Sequence, residues 1–299
     1  MTVIVLGAGA IGSFYGAKLS ARHDVTLVAR REHVERILAD GLRVTGLEEA
    51  TYRVHATTDV HAIAPGTLVL LTTKVIDSEA AVRPIVNLVR PDTVIVCVQN
   101  GLRSEEIVKR VVGSRCEVLR AITHVGAIFA GAGTIALKAC GHTTFEPGPR
   151  SMSLADMFSA CGLDGRISTN MRDEIWRKLV INCVVNPLTA ITRHEVGWIA
   201  DERLNAFKQA VIDECAAVAR HDGATIDGDF LRVVNETFRP SRNLSSMHQD
   251  LLKGKRTEID HLNGAVVELG KRFGIACPVN AGLVAIIKAL EQRPGTRSA

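Results

Sequence analysis

The first half of the chain alternates short β-branched runs with amphipathic stretches of helical period. The runs are residues 2–6 (TVIVL), 24–29 (DVTLVA), 67–72 (TLVLLT), 93–98 (TVIVCV) and 116–122 (CEVLRAI). Short apolar runs separated by helices predict strands buried on both faces, in a parallel sheet with helices on either side. Residues 123–145 break the pattern with VGAIF, a glycine-rich 130–133, then TIALK and TTFEP. That succession predicts a hairpin at the edge of the sheet, closing a first domain. After a helix over 151–161 and a short run at 166–168, strand signals almost vanish. Helical periodicity then marks 171–185, 203–221, 229–237, 245–271 and 279–291. The fold class expected is α/β: a doubly wound, Rossmann-type sheet domain over 1–168, then an all-α domain over 169–299. Residues 293–299 read as a frayed tail.

With 299 residues, 46% of them hydrophobic, the chain can bury the cores of two domains. A net charge of +4, carried by scattered basic residues, lacks the clustered footprint of a nucleic-acid binder and suits a small anionic substrate. The seven cysteines form no C-x-x-C pair and are odd in number, which argues for free thiols in a reducing compartment. A strand beginning at residue 2 leaves no room for a signal peptide, and no apolar stretch reaches the roughly 18–20 residues of a membrane helix. The expectation is a cytoplasmic protein without membrane, nucleic-acid or metal partners, with a homodimer left open.

The strongest local motif is Gly7-Ala8-Gly9-Ala10-Ile11-Gly12, a G-x-G-x-x-G directly after a strand and opening a helix. The first glycine makes the tight turn, the second admits a pyrophosphate to the backbone, and the third lets helix pack on strand. About 20 residues on, where an acidic residue would hold the ribose 2′-hydroxyl of NAD, stand Arg30 and Arg31. A guanidinium grips a 2′-phosphate, so the pair favours NADP, with Arg30 preferred; the alternative is two exposed arginines that merely begin a helix. Lys74 and Asn100 follow the third and fourth strands, at the carboxyl edge where ligands of open α/β sheets bind.

In residues 176–187, Lys178, Asn182 and Asn186 recur every four positions with only apolar residues between them. On a helix they form one polar stripe on an otherwise buried cylinder. Burying such groups unpartnered costs on the order of 1–3 kcal/mol per amide, and more for the charge, so something polar must face them. That is either a substrate cleft or a bracing network. Pro187 predicts that the helix ends or kinks at Asn186, exposing its last turn to a cleft. A second constellation occupies 243–250 and 257–264. There Ser246 with Gln249 reads as a capping box or a ligand contact, and Glu258 as a surface carboxylate or a site residue.

Taken together, GAGAIG at 7–12, TTK ending at Lys74, NG at 100, ITH at 122–124, RKLVINCVVNPLTAI at 177–191 and NLSSMHQDLLKGKRTEIDHLNG at 243–264 resemble the ketopantoate reductase (2-dehydropantoate 2-reductase) family over nearly the whole chain. The resemblance implies that Lys178 is the general acid and that Glu258 lines the same cleft, beside nicotinamide and substrate. It implies that Asn182, Asn186 and Ser246 hold substrate, that Asn100 and Lys74 lie against cofactor and substrate, and that backbone near Gly126 touches the cofactor. The implied reaction is NADPH-dependent reduction of a hydroxyl-bearing 2-oxo acid in the pantothenate branch leading to coenzyme A. One departure stands out: some members carry a further substrate asparagine about ten residues past the match to Asn186, where this chain has Val196. The alternatives are a related reductase of another 2-oxo acid and a non-enzymatic NADPH-sensing protein.

Overall fold

The computed structural model describes residues 1–292, and the expected frayed tail at 293–299 lies outside them. The chain divides into two units: Met1–Gln99 with Arg103–Met171, and Asn100–Leu102 with the chain from Arg172 onward.

The first unit runs β1 (Thr2–Leu6), α1 (Ala10–Leu19), β2 (Asp24–Val28), α2 (Arg31–Asp40), β3 (Leu42–Gly46), β4 (Ala50–Tyr52), β5 (His55–Thr57), β6 (Leu68–Leu71), α3 (Ser78–Val82), β7 (Val94–Cys97), α4 (Ser104–Val112), β8 (Glu117–Thr123), β9 (Gly126–Gly131), β10 (Thr134–Ala139), β11 (Thr143–Phe145), α5 (Ser151–Ala160) and β12 (Gly165–Ile167). Eight strands form one sheet in the order β12-β11-β8-β7-β6-β1-β2-β5. Every pairing in it is parallel except β11 with β8. Alternate residues enter opposite cores. Val3, Val5, Leu68 and Leu70 pack with α1, α2 and α5, whereas Ile4, Leu6, Val69 and Leu71 pack with α3 and α4. Two buried faces explain why these strands read as unbroken apolar runs.

The hairpin expected at 123–145 forms as β9 and β10, but not at the edge of the large sheet. It builds a separate four-stranded sheet, β4-β3-β10-β9, with two strands that the sequence pattern did not announce. β3, β4 and β5 are three to five residues long and only partly buried, so they lack the continuous apolar run that marks the central strands. Only β11 joins the main sheet, antiparallel to β8.

The second unit is helical: α6 (Met171–Thr192), α7 (Asn205–His221), α8 (Phe230–Phe238), α9 (Ser246–Leu252), α10 (Asn263–Phe273) and α11 (Pro278–Glu291), with short 3₁₀ turns at Val196–Ala200, Glu202–Leu204 and Ile259–His261. Two expectations are corrected here. The single helix over 245–271 is two helices, because α9 stops at a glycine in the left-handed region, Gly254 (φ 60). Gly254 N–H donates to Leu251 O at 3.1 Å and Lys255 N–H to Asp250 O at 2.8 Å, the paired bonds of a Schellman end. In addition, α6 does not end at Asn186 but continues through Pro187 to Thr192. Proline removes the N–H that Cys183 O would accept, and the Asn263 side chain supplies a replacement donor at 3.0 Å. A tertiary contact thus overrides the local rule. Among the described residues, no helix is long and apolar enough to cross a membrane, and no group of three or more metal-ligating side chains occurs.

Candidate functional site

In the first unit, the chain passes from β1 to β2 and β5 on one flank and returns as β6 on the other. This strand-order reversal opens a crevice at the carboxyl ends of β1 and β6. Gly7–Gly12 fills the β1 end. Gly7 lies at φ 89, and a Cβ there would sit 2.4 Å from Thr73 Cγ2. The Thr72 hydroxyl donates to Gly7 O at 2.9 Å, tying the glycine loop to the segment that leads to Lys74. A Cβ on Gly12 would lie 2.3 Å from Thr72 Oγ1 and 2.8 Å from Gly7 O, so glycine there is a demand of packing. Gly7 N–H and Ala8 N–H both donate to Val28 O, fastening the loop to the end of β2 just before Arg30.

Gly9 differs from these. Apart from its immediate chain neighbours, no protein atom lies closer than 3.9 Å to a Cβ built on it, so packing does not require glycine there. Gly9 is the N-cap of α1, whose first turn holds no acidic side chain and whose first N–H groups lack partners within the helix. Ala10 and Ile11 begin that turn. An uncrowded backbone at a positive helix end accepts a pyrophosphate, and these residues fit a dinucleotide. Arg30 caps α2 and, like Arg31, is exposed. Neither side chain makes a hydrogen bond or ion pair with another described residue. Lys74 is half-buried and caps the 3₁₀ turn Val75–Asp77. Gly126 opens β9, in the four-stranded sheet, paired with Ala139.

Two residues that the sequence reading passed over complete this region. His33, buried on α2, accepts Gly133 N–H at Nδ1 (2.8 Å). Its Nε2 therefore carries the proton and donates to Ser13 Oγ at 3.1 Å. Ser13 in turn donates to Ala8 O at 3.1 Å. The chain of bonds links the hairpin turn to the glycine loop through a neutral imidazole, and burial pushes the His33 pKa down. Thr72 is the other; its signal was a hydroxyl two residues before Lys74.

In the second unit, α6 is anchored at its start by Trp176 Nε1 donating to Asp222 Oδ2 at 2.9 Å and by Arg177 to Asp227 O at 2.8 Å. Lys178 and Asn182 are half-buried and Asn186 buried, on one face, while Leu179, Val180, Cys183, Val184 and Val185 enter the core. Two further segments reach this helix, and a third packs on the turn that Glu258 caps. Asn263 reaches Cys183 O. The Ser245 hydroxyl lies 2.8 Å from Thr189 Oγ1, which donates to Val185 O at 2.7 Å. Finally, a Cβ on Gly101 would lie 2.5 Å from His261 O, so the Asn100–Leu102 segment packs on the 3₁₀ turn that Glu258 caps. Asn100, Glu258 and the α6 stripe are thereby assembled within one unit. The capping box read at Ser246 is corrected: Ser245 is the N-cap, accepting His248 N–H at 3.2 Å, and Ser246 is the exposed first residue of α9. Val196 is buried in the helical core and donates its N–H to Asn243 O at 2.7 Å.

Residues 3–150 match the family model described as Ketopantoate reductase PanE/ApbA, and residues 170–291 match its C-terminal counterpart. This chain belongs to the ketopantoate reductase family. The 2-dehydropantoate 2-reductase of Pyrococcus horikoshii is 32% identical over 303 residues, covering 99% of both chains. That of Archaeoglobus fulgidus is 33% identical, covering 97% of both. Among solved structures, a PanE/ApbA family ketopantoate reductase from Ralstonia eutropha superimposes with a TM-score of 0.90 at 35% identity, covering 97% of this chain and 98% of its own. D-mandelate dehydrogenase, solved with NADH and anilino(oxo)acetate, reaches 0.89 at 26% identity, with 97% and 98% covered. The family's fold of a parallel-sheet domain followed by a helical domain is the fold described above.

Proposed function

We propose that this chain reduces 2-dehydropantoate to pantoate with NADPH, and that Lys178 is the general acid. The observation that carries the reading is the α6 face, where one cation and two amides share a stripe in an apolar helix of a family member. Asn182 and Asn186 form no side-chain hydrogen bond with described residues, so their donors and acceptors are left for a ligand. A carboxylate and a carbonyl are the groups that one lysine and two amides satisfy.

NADPH, when bound, supplies the hydride. Lys178 then neutralises the charge that builds on the carbonyl oxygen and delivers a proton to it. Asn182 and Asn186 fix the acid, and Ser246 and Asn100 add polar contacts. Glu258 shares the site with Lys178. Gly7, Ala8, Gly9, Ala10, Ile11 and Gly12 receive the pyrophosphate. Arg30 takes the 2′-phosphate, and Lys74 and backbone near Gly126 complete the cofactor contacts.

A second reading rests on two observations: Val196 is buried where some members carry a substrate amide, and a dehydrogenase of another hydroxy acid is a structural neighbour solved with NADH. In that reading the mechanism stands and the acid, the nucleotide or both differ. Following nicotinamide absorbance with NADPH and NADH against ketopantoate, benzoylformate and other 2-oxo acids decides. Turnover highest for ketopantoate with NADPH supports the first reading. Preference for an aromatic acid or NADH transfers support to the second, and cofactor binding without turnover of any acid refutes both.

A further inference from the structure

A helix that crosses a proline has a carbonyl to place. In α6 this carbonyl belongs to Cys183, four residues before Pro187 and one after Asn182. The pyrrolidine ring offers it no N–H and crowds it. Left alone, such a site kinks, commonly by more than about 20°. Asn182 and Asn186 stand four residues apart, or about 6 Å along the axis at 1.5 Å per residue. A 20° bend between them displaces one relative to the other by roughly 1–2 Å, depending on where the hinge lies. That exceeds the distance tolerance of a hydrogen bond, so both amides cannot then serve one ligand.

The orphan carbonyl is met by a built device. Asn263, fully buried at the start of α10, donates one amide proton to Cys183 O at 3.0 Å and the other to Asn280 Oδ1 at 2.9 Å. Asn280, also fully buried, is fixed by its own Nδ2 on Glu214 Oε2 at 2.7 Å. Glu214 in turn accepts Val279 N–H and Asn280 N–H at 2.8 and 2.9 Å. The Asn263 carbonyl oxygen is buried without a partner. An unpaired buried acceptor costs on the order of 1–3 kcal/mol, so the residue is retained for its two donors. Four helices, α7, α11, α10 and α6, thus converge on one carbonyl.

We propose that Asn263 is a positioning residue for the substrate amides: it meets the carbonyl that Pro187 leaves without a donor and fixes the α6 backbone between Asn182 and Asn186, so that both amides keep one bearing. The role of those two amides as substrate ligands rests on the function proposed above; the fixing of the helix does not.

A double-mutant cycle with Asn263→Leu and Pro187→Ala tests it, since alanine at 187 restores the backbone donor and makes the side chain dispensable. The four proteins are read by KM and kcat for the best 2-oxo acid, by the Kd for NADPH, and by amide hydrogen exchange over residues 179–192. In the Pro187 background, N263L is expected to raise KM about tenfold or more, because misplacement on the order of 1 Å already costs up to about 100-fold. Cofactor Kd should stay put and exchange protection over 187–192 should fall. In the P187A background the same substitution should change KM by less than threefold and leave protection intact. Equal effects of N263L in both backgrounds overturn the proposal, as does an unchanged KM with a lowered melting temperature. If N263L alone does not fold, a folded N263L/P187A supports the proposal and an unfolded one refutes it. A wild-type protein inactive on every acid refutes the functional reading instead, and the exchange data still decide whether Asn263 fixes the helix.

Discussion

Lys178 sits on a helix whose neighbouring positions are apolar and buried, yet it is itself half-buried and partnered. Partial loss of water around a cationic group strengthens its interaction with whatever it addresses. Lys178→Ala should therefore lower kcat by roughly 10²–10⁴-fold, the usual contribution of a general acid, with NADPH affinity changed by less than about threefold. Steady-state kinetics with cofactor titration checks this, and an unchanged kcat removes Lys178 from the chemistry. The stripe was legible in the sequence because a four-residue spacing among apolar residues has one helical meaning. The roles of Asn263 and His33 were not. A buried amide or imidazole matters through the partner it meets, and both partners are remote in sequence, Cys183 at 80 residues and Gly133 at 100.

Two elements carry the cofactor reading. In the glycine loop, space for a Cβ at Gly9 coexists with a helix N-terminus. Gly9→Ala should consequently leave the melting temperature within about 1 °C, as expected of a substitution that crowds nothing, while weakening NADPH binding tenfold or more. Calorimetric titration against thermal melting separates the two; loss of stability in step with affinity would falsify the view that the void serves a ligand. α2 is tied to α1 and the β9–β10 hairpin by His33. Its folded pKa is depressed from the ordinary 6.5 by burial. Stability linked to His33 is then fully present above 6.5 and is lost as pH falls from 6.5 through the lower folded value, where protonation removes the acceptor for Gly133 N–H. Melting temperatures between pH 7.5 and 5 should decline less steeply in His33→Gln than in the wild type. Equal slopes would assign the decline to other groups. These elements also show where the sequence pattern misleads. The 245–271 period runs through Gly254 because apolar spacing resumes on the far side, and only a left-handed φ with its two bonds ends α9.

On the scale of the whole molecule, a ligand that binds only the folded state stabilises it by mass action. NADPH at 100 times its Kd adds about 2.7 kcal/mol, or roughly 5–10 °C for a domain of this size. Thermal melting with NADPH and NADH at equal concentrations should show the larger shift for NADPH. Arg30→Ala should reduce the NADPH shift to that of NADH and leave the NADH shift unaltered, because loss of a charged hydrogen bond to phosphate weakens binding by about 1.5–3 kcal/mol. Equal shifts in the wild type would favour the NADH-using reading.

The α/β-then-α succession, the glycine loop between β1 and α1, the polar stripe and the family were all determined by the sequence itself. Each depends on spacing between near neighbours, and local geometry converts such spacing directly into a turn, a strand or a helix face. Tertiary structure alone decided that the hairpin leaves the main sheet for β3 and β4, that α6 survives Pro187, and that Asn100 packs with the segment holding Glu258. In each of these cases the deciding group, a strand edge, the Asn263 amide or the His261 backbone that Gly101 packs on, comes from tens of residues away. Hydrogen bonds must be satisfied wherever they are buried, and no local pattern records who will satisfy them.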